Sequence, residues 1–200
     1  MTIENAPISL SQYLTDSATL LSEAARKIPA ELMNKAVDSC VAALRSGAPL
    51  LVCGNGGSAA DAMHITGELV GRFRRERQGL RCICLADNPA TITAWANDVG
   101  YDSIFARQVE AYGVKGGVLL LLTTSGQSPN LVLAAQKAHE MGMTNLGFTG
   151  KGGGALSPLC DIQIDAPGNS TADIQQVHIC LYHYLCDRIE ALSVTGLTNE

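Results

Sequence analysis

The sequence predicts an α/β domain: three layers built on a doubly wound parallel sheet of about five strands, with an N-terminal helical arm. Three observations carry that expectation. Five short apolar runs lie between turn residues, at 49–54 (PLLVCG), 81–86 (RCICLA), 117–125 (GVLLLLTTS), 144–150 (TNLGFTG) and 161–167 (DIQIDAP). Helix-like stretches separate them, at 58–71, 89–96, 103–112, 129–141 and 173–192. Apolar strands alternating with helices indicate a parallel sheet covered on both faces.

The arm comes first in the chain. Residues 9–27 place Leu10, Leu14, Ala18, Leu21 and Ala25 at helical spacing, and residues 30–46 do the same with Leu32, Ala36, Val37, Cys40, Val41 and Leu44. Gly47 ends the second helix. No repeat or low-complexity linker interrupts the chain. Residues 1–200 therefore read as one domain, with helices over 1–47 and an α/β core plus C-terminal helix over 48–200. The apolar stripes on the arm predict packing against copies of the same chain.

Bulk composition narrows the function classes. The chain is 46% apolar and only 4% aromatic, so aliphatic residues and alanine must build the core. With 14 basic and 19 acidic residues the net charge is −5, which argues against a nucleic-acid partner. No run reaches the ~18 apolar residues that span a bilayer, so no membrane partner is expected. The N-terminal MTIENAPISLSQYL lacks the basic and apolar regions of a signal peptide. Seven cysteines, an odd number at irregular spacing, make a poor disulfide framework and point to a reducing cytoplasm.

Two strand ends share a design. CGNGGS (Cys53–Ser58) and TTSGQS (Thr123–Ser128) each follow an apolar strand and lead into a helix. Glycine permits close backbone approach, the helix start offers free N–H groups and a positive dipole end, and hydroxyls add donors. Together these parts make an anion cradle. It is not a Walker A loop, since Gly-Lys-Ser/Thr is absent. Asp87 follows the turn at longer than the usual ~20-residue spacing of a dinucleotide site. A single phosphate monoester suits two hydroxyl-rich turns better. The competing reading is that Ser58 and Ser128 merely cap helices.

His64 and Glu68 are four apart, which places them on one helix face. Both residue types are sound zinc ligands. The C-terminal helix adds Gln175, His178 and His183 as polar positions in an apolar stretch.

CGNGGSAADAMH, AWANDVGY and TTSGQSPN resemble the SIS (sugar isomerase) domain family over nearly the whole chain. The resemblance is greatest to the branch that converts sedoheptulose 7-phosphate to D-glycero-D-manno-heptose 7-phosphate for surface-polysaccharide synthesis. It implies that Ser58, Thr123, Thr124, Ser125 and Ser128 hold the sugar phosphate. It also places Asn55, Gly56, Gly57, Asn97 and Asp98 at the substrate. One zinc ion per subunit is implied, on His64, Glu68, Gln175 and His183, with Glu68 and Gln175 also meeting substrate. His178 is left structural. A homotetramer is implied as well.

Ketose–aldose interconversion moves a proton between C1 and C2 through an enediol, which requires a base, an acid and an electrophile. Glu68 is the candidate base and His183 the candidate acid. Gln175 and His183 stand eight residues apart, ~12 Å along a helix axis. Both reach one ion only if it lies between them, if Gln175 lies in an irregular first turn, or if a second subunit supplies one ligand. The segment GRFRRERQG (71–79), with Arg72, Arg74, Arg75 and Arg77, reads as a solvated helix end or as a rim attracting anionic substrate. The rival reading of the whole is a non-catalytic SIS module that senses phosphosugars or accompanies replication initiation.

Overall fold

The computed structural model describes residues 8–194. Helices α1 (Leu10–Lys27) and α2 (Ala30–Arg45) form the arm. The core follows as β1 (Leu50–Gly54), α3 (Gly57–Val70), β2 (Cys82–Cys84), α4 (Pro89–Asp98), α5 (Ile104–Tyr112), β3 (Val118–Leu122), α6 (Pro129–Glu140), β4 (Thr144–Gly150), β5 (Ile162–Ala166) and α7 (Thr171–Val194). Every expected strand and helix is present.

Local chemistry sets the boundaries. The Ser9 hydroxyl caps α1 by accepting the Gln12 N–H at 3.1 Å. Gly47, at φ +80°, closes α2. Strand β3 is shorter than the apolar run 117–125: Thr123 N–H makes a last bond to Phe148 O at 3.0 Å, and Thr124 and Ser125 then leave the ladder to form a turn. Helix α4 runs two residues past the expected 96, which carries Asn97 and Asp98 into its last turn.

All five strands are parallel, in the order β2-β1-β3-β4-β5. Alternate residues feed two cores. Leu50, Val52, Val118, Leu120, Leu122, Leu146 and Phe148 face α2, α3 and α7. Leu51, Cys53, Leu119 and Leu121 face α5 and α6, against Ile104, Phe105, Val109, Leu131 and Ala134. Strands β1, β3 and β4 are buried on both faces apart from the first residue of β4, which is why their sequences read as continuous apolar runs.

The strand order fixes where a ligand binds. The chain steps from β1 outward to β2 and then returns to the other side of β1 as β3. Successive crossovers diverge at that point and leave a crevice beyond the carboxyl ends of β1 and β3. The two serine-glycine turns emerge there.

Among the described residues, no helix is long and apolar enough to cross a membrane. All seven cysteines are free thiols, and burial pushes Cys40 and Cys82 up to about 12.

Candidate active site

Asn55, Gly57, Ser58, Thr123, Thr124, Ser125, Ser128 and Gln175 line one cavity of about 130 Å³, with Leu122, Leu131 and Thr171 completing the wall. Helix α3 starts after Gly56 and α6 after Ser128, and neither start has a side-chain cap. Ser58 lies inside α3 rather than at its cap, and the Ser128 hydroxyl caps nothing. Helix capping therefore does not account for either serine. Two positive dipole ends border the same space.

The β3 turn supports itself. Gly126 N–H donates to Thr123 Oγ1 at 3.0 Å, and Gln127 N–H donates to Ser125 Oγ at 3.2 Å. Gly126 is held at φ +65° against Gly153, where a Cβ would overlap the Gly153 carbonyl. The glycine-rich segment after β4 thus backs the turn, and Leu156 N–H reaches Gly126 O at 3.0 Å.

A reciprocal amide pair ties the two turns together. Asn55 donates to Asn130 Oδ1 at 2.9 Å, and Asn130 donates to Asn55 Oδ1 at 2.8 Å. Tyr101 Oη adds a third bond to Asn55 Oδ1 at 3.0 Å. Asn130 is buried at the start of α6. Sequence reasoning passed over it, although it closes the TTSGQSPN stretch, and a polar residue entering an apolar helix was the available signal.

His64 Nε2 lies 3.0 Å from Glu68 Oε1, as i,i+4 spacing requires. The His183 ring meets the His64 ring edge-on, with centroids 5.1 Å apart. Burial and the neighbouring His64 charge lower the His183 pKa, against an opposing pull from Glu68. Two residues that sequence reasoning missed complete the cluster. Tyr182 Oη lies 2.9 Å from His64 Nδ1, and burial, helped by the nearby Asp61 carboxylate, holds the phenol proton on. Burial raises the Asp61 carboxyl, although a bond from Gln175, the His64 charge and a bond from Tyr182 all oppose the rise. Gln175 Nε2 donates to Asp61 Oδ2 at 2.8 Å. The signal for Asp61 was its place on α3, one turn before His64.

Gln175 lies in regular helix, one turn into α7, so an irregular first turn does not bring it to His183. Its amide faces Asp61 and the hydroxyl-lined cavity. Among the described residues, no three His, Cys, Asp or Glu side chains converge as they stand in a metal-holding group. The donor chemistry nevertheless fits a borderline divalent ion: the His64 imidazole meets both the Glu68 carboxylate and the His183 ring, and Tyr182 occupies His64 Nδ1 so that Nε2 faces the carboxylate.

The remaining expected site residues lie elsewhere. Gly56, Asn97 and Asp98 do not line the cavity; Asn97 bonds Asp98 at 2.9 Å on the exposed end of α4. His178 is fully buried and bonds Thr149 O at 3.1 Å, in keeping with a structural role. The arginine-rich segment is only partly solvated, because the Arg77 side chain is buried and bonded to main-chain carbonyls.

The chain is similar to known proteins in sequence and in fold. Residues 12–150 match the family model described as SIS domain. A phosphoheptose isomerase from Bradyrhizobium is 49% identical over 79% of this chain and 80% of its own. The solved structure of a phosphoheptose isomerase from Francisella tularensis superposes with a TM-score of 0.87 at 38% identity, covering 91% of this chain and 96% of that one. The phosphoheptose isomerase from Neisseria gonorrhoeae gives 0.85 at 34% identity, covering 91% and 97%. A phosphate-sized, hydroxyl-lined cavity beside an imidazole–carboxylate cluster, on this strand order and with these relatives, means that the chain belongs to the SIS domain family, in its phosphoheptose isomerase branch.

Proposed function

We propose that this chain is an aldose–ketose isomerase converting sedoheptulose 7-phosphate to D-glycero-D-manno-heptose 7-phosphate through an enediol. The observation that carries the reading is the junction of two functional halves. A hydroxyl-lined cavity at two uncapped helix starts connects, through Gln175, Asp61 and Tyr182, to His64, Glu68 and His183.

In this reading Ser58, Thr124, Ser125 and Ser128 donate to the phosphate, with Thr123 shaping the turn. The phosphate contacts contribute binding and orientation remote from the reacting carbons. Asn55, Gly56 and Gly57 line the path of the sugar chain, and Asn97 and Asp98 meet it only when α4 or a neighbouring subunit brings them in. Glu68 takes the carbon-bound proton and returns it to the adjacent carbon. His183, whose lowered pKa keeps it neutral near pH 7, passes a proton between the oxygens. His64, Glu68, Gln175 and His183 are the proposed holders of one zinc ion. When bound, zinc supplies a Lewis acid for the negative charge that develops on the enediol oxygens.

We infer a homotetramer, in the cytoplasm, serving surface-polysaccharide synthesis. An open apolar groove of about 460 Å³ between the arm and α7 supports self-association; Leu21, Ile28, Met33, Leu181 and Tyr184 line it. Leu10 and Leu14 extend an exposed apolar stripe along α1. Free thiols throughout fit a reducing compartment.

The test is an NMR incubation of purified, metal-analysed protein with a panel of ketose phosphates of five to seven carbons. Appearance of the aldose from the seven-carbon substrate alone supports the reading. Preference for a shorter sugar, or no turnover in the presence of zinc, overturns it.

A further inference from the structure

The segment after α3 is neither helix nor sheet, yet it is held by a single carboxylate. Three successive backbone N–H groups, of Phe73, Arg74 and Arg75, donate to Glu190 at 2.9, 2.8 and 2.9 Å. Glu190 is fully buried on α7, more than one hundred residues away in sequence. Burial pushes its carboxyl up, but the N–H donors of Arg74, Phe73 and Arg75 and the Arg77 charge outweigh this, so the group stays ionised. Arg77 Nε lies 3.4 Å from Glu190 Oε1 with the side chain 1% exposed. Arg75 makes a further ion pair with Asp187 at 2.8 Å.

The held segment touches the reacting cluster twice. The Phe73 ring packs on the His183 ring, with centroids 5.7 Å apart and planes inclined by 31°. The Arg74 guanidinium lies 5.1 Å from the Phe73 ring and adds a second contact on it. Arg77 Nη2 donates to the main-chain carbonyl of Glu68 at 2.9 Å. Apolar packing could have filled the space that Glu190 occupies, at lower desolvation cost. A carboxylate does what apolar packing cannot: it fixes the path of three consecutive peptide groups that lack ladder or helix partners.

We propose that Glu190 is a positioning residue for the isomerisation, holding segment 71–77 so that Phe73 sets the His183 ring and Arg77 steadies the backbone under Glu68. This rests on the roles proposed for His183 and Glu68. Small displacements of reacting groups cost up to about a hundredfold in rate. Loss of the anchor therefore falls on kcat, while the phosphate contacts, on the other two turns, keep KM.

The test compares the full-length wild type with Glu190→Gln and Phe73→Leu. Each is measured by steady-state kinetics on sedoheptulose 7-phosphate and by histidine-labelled NMR of the metal-free, substrate-free protein. Phe73→Leu leaves the buried carboxylate intact and stands in if Glu190→Gln does not fold. The expected result is a ten- to hundredfold loss of kcat in each folded variant, KM within about twofold, and displaced His183 ring resonances. Unmoved His183 resonances overturn the proposal, and so does an unchanged kcat or a loss expressed mainly in KM. If the wild type does not turn over this substrate, the proposed function fails, and the His183 resonances alone decide the anchoring role.

Discussion

Replacement of Gly126 by alanine separates a cost of backbone conformation from a cost at the phosphate turn. Gly126 sits at φ +65°, where a Cβ would overlap the backbone of Gly153 and lie 2.9 Å from Gly154 N. The left-handed conformation alone costs an alanine about 1–2 kcal/mol. The overlap involves backbone on both sides, so no side chain can swing away; the turn must part from the segment after β4. That parting breaks the Leu156 N–H bond to Gly126 O and strains the Gly126 N–H bond to Thr123 Oγ1, both 3.0 Å. At about 1 kcal/mol for each bond, the total reaches about 3–4 kcal/mol. Gly47→Ala is the control, because Gly47 has φ +80° and nothing within 4 Å of a Cβ. It bears only the conformational cost, about 1–2 kcal/mol. At ~2–4 °C per kcal/mol for a domain of this size, Gly126→Ala should melt about 6–16 °C lower and Gly47→Ala about 2–8 °C lower. Thermal melts give the first readout and KM for the sugar phosphate the second; Gly126→Ala should raise KM at least about tenfold, equivalent to about 1.4 kcal/mol, and Gly47→Ala should not. Equal melting temperatures with wild-type KM in both variants would refute the close packing of these two segments at the phosphate site.

Ser128→Ala should raise KM about tenfold or more and lower kcat less, since a hydrogen bond to a charged group is worth about 1.5–3 kcal/mol; steady-state kinetics reads the split, and an unchanged KM removes Ser128 from the phosphate site. Glu68→Gln should abolish turnover yet bind the substrate's phosphate end within a few-fold of wild type, measurable by calorimetry. Zinc added to chelator-treated protein should restore activity at about one ion per chain and raise the melting temperature by mass action; a chelated protein with full activity would exclude the metal from the reaction. His178 gives a pH signature: burial lowers its pKa below the ordinary 6.5, with the Thr149 carbonyl bond opposing. The unfolded chain then takes up the proton first, so stability is complete above about 6.5 and falls as pH drops below it, by up to about 1.4 kcal/mol per pH unit. Melts between pH 7.5 and 5.5 should show a smaller decline for His178→Leu than for wild type, and parallel declines would show that His178 contributes nothing to the pH dependence.

The sheet was legible because its inner strands carry one signal, continuous apolarity, which nothing but two-sided burial explains. The cradle was legible for a similar reason: glycine and hydroxyl residues between a strand and a helix serve local backbone geometry, and local geometry is written in consecutive residues. His64 and Glu68 were readable from helical spacing alone. Asp61, Tyr182, Asn130 and Glu190 were not, because each acts through a partner far away in the chain, up to 118 residues in the case of Tyr182 and His64. A lone polar residue in an apolar helix looks alike whether it bonds a neighbouring carbonyl, as His178 does, or an active-site imidazole, as Tyr182 does. Only the packing of α7 against α3 tells the two apart.

That packing also explains why the expected ligand set stands as it does. Gln175 and His183 lie two turns apart on α7, while Asp61, His64 and Glu68 climb α3 beside them. In the two packed helices, Gln175 is level with Asp61 and His183 with His64, and Phe73, from the segment after α3, packs on His183. Tyr182 stands between the two levels, bonded to His64 and electrostatically coupled to Asp61. A sugar phosphate held at the helix starts would extend along this groove, meeting Gln175 first and the imidazoles after it. If the proposed function holds, the order of polar groups along the two helices is the order in which a phosphate and its reacting carbons meet them, with the phosphate as anchor and His183 at the far limit of the site.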